Sequence, residues 1–122
     1  MAAYILVVDD DDLVRRLLVL HLSQAGYAVT AAEDGASAHR IALQMAPDLI
    51  ISDVKMPHLD GFDFLARLKA HKVLAEVPVV LLTSEQDADI RGRELGAAGF
   101  VTKPVRADVL LKVVAKHLPA KP

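Results

Sequence analysis

Five short apolar runs alternate with longer segments of helical period, and this alternation restricts the fold more than any other feature of the chain. Strands are predicted at 4–8, 27–31, 48–52, 77–82 and 98–101, and helices near 12–25, 35–46, 61–71, 86–95 and 106–117. Two runs, Leu49-Ile50-Ile51-Ser52 and Val77-Pro78-Val79-Val80-Leu81-Leu82, are almost uninterruptedly apolar. They read as interior strands covered on both faces, with Pro78 tolerated near a strand start. The chain is 53% hydrophobic but only 4% aromatic, so Val, Leu, Ile and Ala must fill the core. At 122 residues it supports one domain, a three-layer α/β/α sandwich around a doubly wound five-stranded parallel sheet. That domain is expected to span 1–118, with 119–122 a tail or the start of a linker.

Local signals place several helix ends. In the first helix Val14, Leu17, Leu18, Leu22 and Ala25 fall within one apolar stripe, with Asp12 as the expected N-cap and Gly26 as the stop. Asp34-Gly35 introduces the second helix, which ends before Pro47. Leu13 and Leu20 lie beside the stripe and are expected to be partly exposed, while His21 faces inward.

Composition removes whole classes of function. Net charge is −2 and no Lys/Arg run exceeds two residues, so this segment is not expected to bind nucleic acid directly. No apolar stretch approaches the roughly 20 residues of a membrane span. The first strand begins near residue 4, leaving no room for a signal peptide, and cysteine is absent; a cytoplasmic protein is expected. There is no glycine-rich nucleotide loop, and His39, His58, His71 and His117 lack metal-ligand spacing.

What the fold leaves unexplained is acid. Asp9 to Asp12 stand directly behind Tyr4–Val8, and Asp53 follows Leu49–Ser52. If these strands are parallel neighbours, the acids converge in the crevice where open α/β sheets bind ligands. Carboxylates about 5 Å apart repel by roughly 3 kcal/mol at an effective dielectric near 20, so they call for a divalent cation or a proton. Two further strand ends contribute Thr83-Ser84 and Lys103-Pro104. A carboxylate attacks phosphorus to give an acyl phosphate, a metal ion neutralises the phosphoryl charge, and lysine and hydroxyl donors hold its oxygens. Taken singly, each residue has a plainer reading. Asp11 and Asp12 would form a solvated capping cluster, Asp53 would cap a turn, and Thr83 would cap the fourth helix. Lys103 would be a surface lysine, and Phe100 a core aromatic.

Together, Val8-Asp9-Asp10, Ser52-Asp53-Val54-Lys55-Met56-Pro57-His58-Leu59-Asp60-Gly61, Leu82-Thr83-Ser84 and Phe100-Val101-Thr102-Lys103-Pro104 resemble the response-regulator receiver domain of two-component signalling. The resemblance covers essentially the whole chain. It implies a flavodoxin-like strand order 2-1-3-4-5, with Asp53 as phosphoacceptor. It also implies Mg²⁺ (or Mn²⁺ in its place) held by Asp10, Asp53 and the backbone carbonyl of Lys55, with Asp9 acting through a bound water. Thr83 and Lys103 would contact the phosphoryl group, through a cis Lys103-Pro104 bond, and Thr83 and Phe100 would be switch residues. The implied partners are a sensor histidine kinase or histidine phosphotransfer protein, docking near the first helix, and a downstream output domain or target. Such a domain catalyses only its own phosphorylation and dephosphorylation.

Two details are particular to this chain. The resemblance implies that Lys55 and Glu85 rim the pocket, and they are expected to pair across its entrance. The fourth helix has only Ile90 and Leu95 as apolar anchors and Gly92 in its middle, so it is expected to open readily. The face around the fourth helix, fifth strand and fifth helix is therefore the expected signalling surface. Two alternatives compete. A haloacid-dehalogenase-type phosphatase would use Asp9-x-Asp11, Thr83 and Lys103, but it lacks a late acidic pair and a cap domain and leaves Asp53 without a role. A phosphorylation-independent adaptor of the same fold would usually have lost an acid, the hydroxyl or the lysine; all are present.

Overall fold

The computed structural model describes residues 2–56, 59–84 and 92–118. Its strands are β1 (Tyr4–Val8), β2 (Ala28–Ala32), β3 (Leu49–Asp53), β4 (Val79–Thr83) and β5 (Gly99–Thr102). They form one parallel sheet in the order β2-β1-β3-β4-β5. Between them lie α1 (Asp12–Gln24), α2 (Gly35–Gln44) and α3 (Gly61–Ala70), a short 3-10 turn at Leu74–Glu76, and a C-terminal helix at Ala107–His117.

Strand periodicity builds two cores. Leu6, Val8, Ile50, Val79 and Leu81 face one side, where α2 and α3 bring Ala38, Phe64, Leu65 and Leu68. Their neighbours Ile5, Val7, Ile51, Val80 and Leu82 face the other, against Leu18 and Leu22 of α1 and Leu110 and Val114 of the C-terminal helix. Every residue of β3 and β4 is buried, as their unbroken apolar runs require.

Several boundaries differ from expectation. β2, β3 and β5 each start and end one residue later than predicted, and β4 begins after Pro78 and runs through Thr83. Ladder bonds continue past the apolar run, as when the Val54 amide donates to the Leu82 carbonyl, so Asp53 and Thr83 belong to the strands themselves. α1 is capped by Asp11 rather than Asp12: the Asp11 carboxylate accepts from the Leu13 and Val14 amides. The buried stripe of α1 is narrower than predicted, because Leu17 is 44% exposed and Ala25 is also exposed. Leu13 and Leu20 are exposed as expected, and His21 is half-buried. Asp34 caps α2 through the Ser37 amide, and Gly26 takes a positive φ of 97° after α1. Glu85, most of the predicted fourth helix with Ile90, and the tail at 119–122 lie outside the described residues; 92–94 are helical.

Candidate functional site

Strand register brings the acids together. Val8 pairs with Ser52, so the residues that follow, Asp9 and Asp53, emerge side by side at the C-terminal edge of the sheet. Asp9 is fully buried and Asp53 nearly so, while Asp10 is exposed. One carboxylate oxygen from each of the three lies within 4.8 Å of the others. On the next strand, Thr83 is the last residue of β4 and is buried. Its carbonyl accepts from the Lys103 amide at 2.9 Å, which ties the exit of β5 to that of β4.

Lys103 supplies the positive charge. Its Nζ lies 3.1 Å from Asp53 Oδ1 and 3.4 Å from Asp9 Oδ2. The Lys103–Pro104 bond is cis, as the resemblance implies. Burial lowers the lysine pKa, but hydrogen bonding and charge from Asp53, together with Asp9, outweigh it and raise the value above the usual lysine range. Asp53 is shifted up as well, first by burial and then by Asp9, against the opposing pull of Lys103. One ammonium thus does not neutralise two buried carboxylates. Asp9 Oδ1 accepts from the Asp11 amide at 2.9 Å, but Oδ2 is buried with no hydrogen bond. Lys103 meets that oxygen at ion-pair distance only. An under-satisfied buried oxygen beside two further carboxylates is a donor set of the hard, oxygen-rich kind that Mg²⁺ takes.

Asp53, Val54, Lys55, Thr83, Ser84 and Lys103 line a cavity of about 70 Å³ beside the Asp53 carboxylate. Phe100 is the second residue of β5, half-buried and packed against the cluster that contains Leu81. Glu85 lies outside the described residues, so the expected Lys55–Glu85 pair falls there too.

Two contributors escaped the sequence reading. Arg15 donates from Nη1 to the Asp9 carbonyl at 2.8 Å and also pairs with the Asp12 carboxylate, clamping the acidic loop. The Asp12–Arg15 spacing of i, i+3 on a helix was the available signal. Gly61 lies against the end of β3: its amide donates to the Val54 carbonyl at 2.7 Å, and a Cβ there would sit 2.3 Å from the Asp53 carbonyl oxygen. Asp60-Gly61 is thus a close approach of α3 to the site as well as a turn. His39 and His71 are also neighbours, with ring centroids 6.4 Å apart, but His71 Nδ1 accepts from the Val73 and Leu74 amides.

Known proteins resemble this chain in sequence and fold. A family model described as the response regulator receiver domain matches residues 5–115. The chain is 37% identical over 109 residues to the DNA-binding dual master transcriptional regulator RpaA of Synechocystis, covering 88% of this chain and 45% of that protein. It is 42% identical over 113 residues to the response regulator PleD of Caulobacter vibrioides, covering 91% of this chain and 25% of PleD. It therefore spans less than half the length of either relative. Among solved structures, the Vibrio cholerae chemotaxis protein CheY4 superposes with a TM-score of 0.92 at 34% identity, covering 97% of this chain and all of that one. The receiver domain of a signal transduction histidine kinase from Syntrophus aciditrophicus superposes with a TM-score of 0.88 at 38% identity, covering 96% of this chain and 90% of that one. No helix among the described residues is long and apolar enough to cross a membrane. The chain belongs to the response regulator receiver domain family, the signalling domains of two-component systems.

Proposed function

We propose that Asp53 is the phosphoacceptor of this receiver, and that 1–118 form the unit whose state its phosphorylation sets. The observation that carries this reading is the gathering of the Asp9, Asp10 and Asp53 carboxylates within 4.8 Å, with Lys103 Nζ 3.1 Å from Asp53. An Asp53 oxygen forms a bond to phosphorus as the P–N bond of a partner's phosphohistidine breaks. The electron pair returns to the imidazole nitrogen, which takes up a proton. Asp9, Asp10, Asp53 and the Lys55 carbonyl would hold Mg²⁺, which when bound supplies charge neutralisation for the incoming phosphoryl group. Lys103 pairs with the phosphoryl oxygens and Thr83 donates its hydroxyl to them, both from strand ends fixed by the sheet. The donor is a sensor histidine kinase or a histidine phosphotransfer protein. Rearrangement of Thr83 and Phe100 then alters the face around 92–102 and the C-terminal helix, which a downstream domain or target reads.

Acetyl phosphate with and without Mg²⁺ tests the assignment on wild type and Asp53→Asn, read by intact mass. A gain of about 80 Da, one phosphoryl group, that requires both metal and Asp53 is expected. A gain that persists in Asp53→Asn refutes the acceptor. No gain in wild type favours the phosphorylation-independent adaptor. Turnover of a generic phosphomonoester would instead favour the phosphatase alternative.

A further inference from the structure

β2 forms one edge of the sheet, and among the described residues no strand lies beyond it. Its ladder to β1 fixes which backbone groups are already paired. The Ala28 amide donates to the Ala3 carbonyl, and the Ala32 carbonyl accepts from the Asp9 amide. Ala28, Thr30 and Ala32 therefore turn their N–H and C=O groups toward β1, while Val29 and Ala31 turn theirs outward. Nothing in the strand blunts this edge: Ala28-Val29-Thr30-Ala31-Ala32 carries no charge and no proline, and it pairs with β1 without a bulge. β5, at the other edge, is shorter and runs into Lys103-Pro104.

A groove of about 400 Å³ runs along the same edge, lined by Arg15, Arg16, Val19, Leu20 and Ser23 of α1 and by Ala31. Leu20 is 49% exposed, and Arg16 is exposed with no ion-pair partner among the described residues. A two-fold axis through Thr30, perpendicular to the sheet, satisfies all of these at once. Antiparallel pairing about that axis sets Val29 against Ala31 of a second copy, a pair that exchanges both N–H···O bonds. Thr30 then faces its own copy in the intervening non-hydrogen-bonded pair. α1 packs over β1 and β2. With strands about 4.8 Å apart, the two copies of α1 come side by side at about 10 Å, a helix-packing distance. They run antiparallel, so Val19 and Leu20 meet near the axis. Each Arg16 then faces the last turn of the other α1, where the helix carbonyls favour a cation.

We propose that the β2 edge pairs with the β2 edge of a second copy of this chain, giving a two-fold dimer whose sheet runs through both molecules and whose grooves are closed by Val19 and Leu20. An extended segment of another protein would satisfy the outward backbone groups. It would bring neither a second Leu20 to the groove nor a helix end to Arg16. Leu17 and His21 line the opposite side of α1, beside Pro104, and stay open in such a dimer.

The chain has no cysteine, so single introduced cysteines report on this pairing without background. Thr30→Cys places two thiols across a non-hydrogen-bonded pair, where Cα atoms stand about 4.5 Å apart and a disulfide can close. Ala28 is more exposed than Thr30, but in this register Ala28→Cys lies opposite residue 32 of the second copy. Mild oxidation should link Thr30→Cys into a covalent dimer and leave Ala28→Cys monomeric. In wild type, sedimentation equilibrium should show monomer–dimer exchange, and the amides of Val29 and Ala31 should exchange more slowly as concentration rises. Ala31→Pro removes an outward N–H and leaves the β1 ladder intact, so it should weaken association about thirtyfold. Ala31→Lys is the gentler variant and should weaken it too, and thermal melts check that both fold. Equal cross-linking of the two cysteine variants, a wild type that stays monomeric, or oligomers growing beyond the dimer overturns the proposal. So does a dimer whose association neither substitution at Ala31 weakens, or one that forms without protecting the Val29 and Ala31 amides.

Discussion

Replacing Lys103 by Met keeps most of the aliphatic stem and removes the ammonium that lies 3.1 Å from Asp53 and 3.4 Å from Asp9. At an effective dielectric near 20, each contact is worth up to about 5 kcal/mol before desolvation is counted. Breaking a buried pair by removing one partner costs about 3–5 kcal/mol, because the other charge stays behind. The Lys103 side chain is 25% exposed, which places the expected loss near the lower end, about 3 kcal/mol. For a domain of this size that is a fall in Tm of roughly 10 °C. The pH dependence identifies the cause. Asp53 already has a raised pKa, and losing Lys103 raises it further. A carboxylate with a raised folded pKa holds its proton more tightly folded than unfolded, so the penalty for ionising it is absent below the unfolded value and complete above the folded one. The deficit of Lys103→Met should therefore be largest near neutral pH and shrink in mild acid. Saturating Mg²⁺ should shrink it as well, since a cation then faces the same oxygens. Urea melts of both proteins, across pH and with and without Mg²⁺, measure this. A deficit of constant size under all these conditions would mean that Lys103 contributes packing alone, and the electrostatic argument would be wrong.

Asp53→Asn should raise metal-free stability near neutral pH, because burial and Asp9 together outweigh Lys103 at that carboxylate, and should abolish the stabilisation by Mg²⁺; thermal melts with and without metal decide it. Arg15→Ala should weaken Mg²⁺ binding about tenfold by releasing the loop that carries Asp9 and Asp10, measured by calorimetry; unchanged affinity would reduce Arg15 to a surface contact. Gly61→Ala should cost about 1–3 kcal/mol and slow Asp53 labelling by acetyl phosphate, since its Cβ meets the Asp53 carbonyl oxygen; a normal labelling rate in a folded variant would separate Gly61 from the site. Asp11→Ala should cost about 1 kcal/mol and speed amide exchange at Leu13 and Val14, whereas Asp12→Ala should leave those amides protected.

The sequence was most legible where one physical demand acts alone. β3 and β4 are covered on both faces, and their apolar runs announce it. β3 and β4 end one residue beyond their apolar runs because polarity changes before hydrogen bonding does: Asp53 and Thr83 are polar yet remain in the ladder. A row of identical acids carries no positional information, which is why the α1 cap was placed at Asp12 when the backbone had chosen Asp11. Tertiary approach left even less trace. Gly61 against Asp53, Gly92 under Phe100 and Arg15 over Asp9 join segments that share no local pattern. Gly92 shows the consequence. Its position mid-helix suggested flexibility, whereas a Cβ there would lie 2.7 Å from the Phe100 ring, so Gly92→Ala acts on Phe100 before it acts on helix stiffness.

These observations bear on how a stable fold tolerates a strained charge arrangement. A mutual repulsion of roughly 3 kcal/mol between Asp9 and Asp53 matches the gain from burying one or two aliphatic side chains. Ile5, Leu6, Ile50, Ile51, Leu81 and Leu82 are all fully buried in the strands directly beneath. The conflict also stands beyond the last apolar residue of each strand, at the edge of the sheet, so relieving it disturbs no core contact. What it can move is the hydrogen-bonded exit of β4 and β5, joined where the Lys103 amide meets the Thr83 carbonyl. On the functional reading proposed here, a phosphoryl group at Asp53 would draw on Lys103 and Thr83 together. β5, which carries Phe100 three residues before Lys103, would then pass the change toward the C-terminal helix that follows it. An Asp53-dependent change in amide exchange along β5 after acetyl phosphate treatment is the measurable form of that coupling, and its absence would confine the effect of phosphorylation to the strand ends.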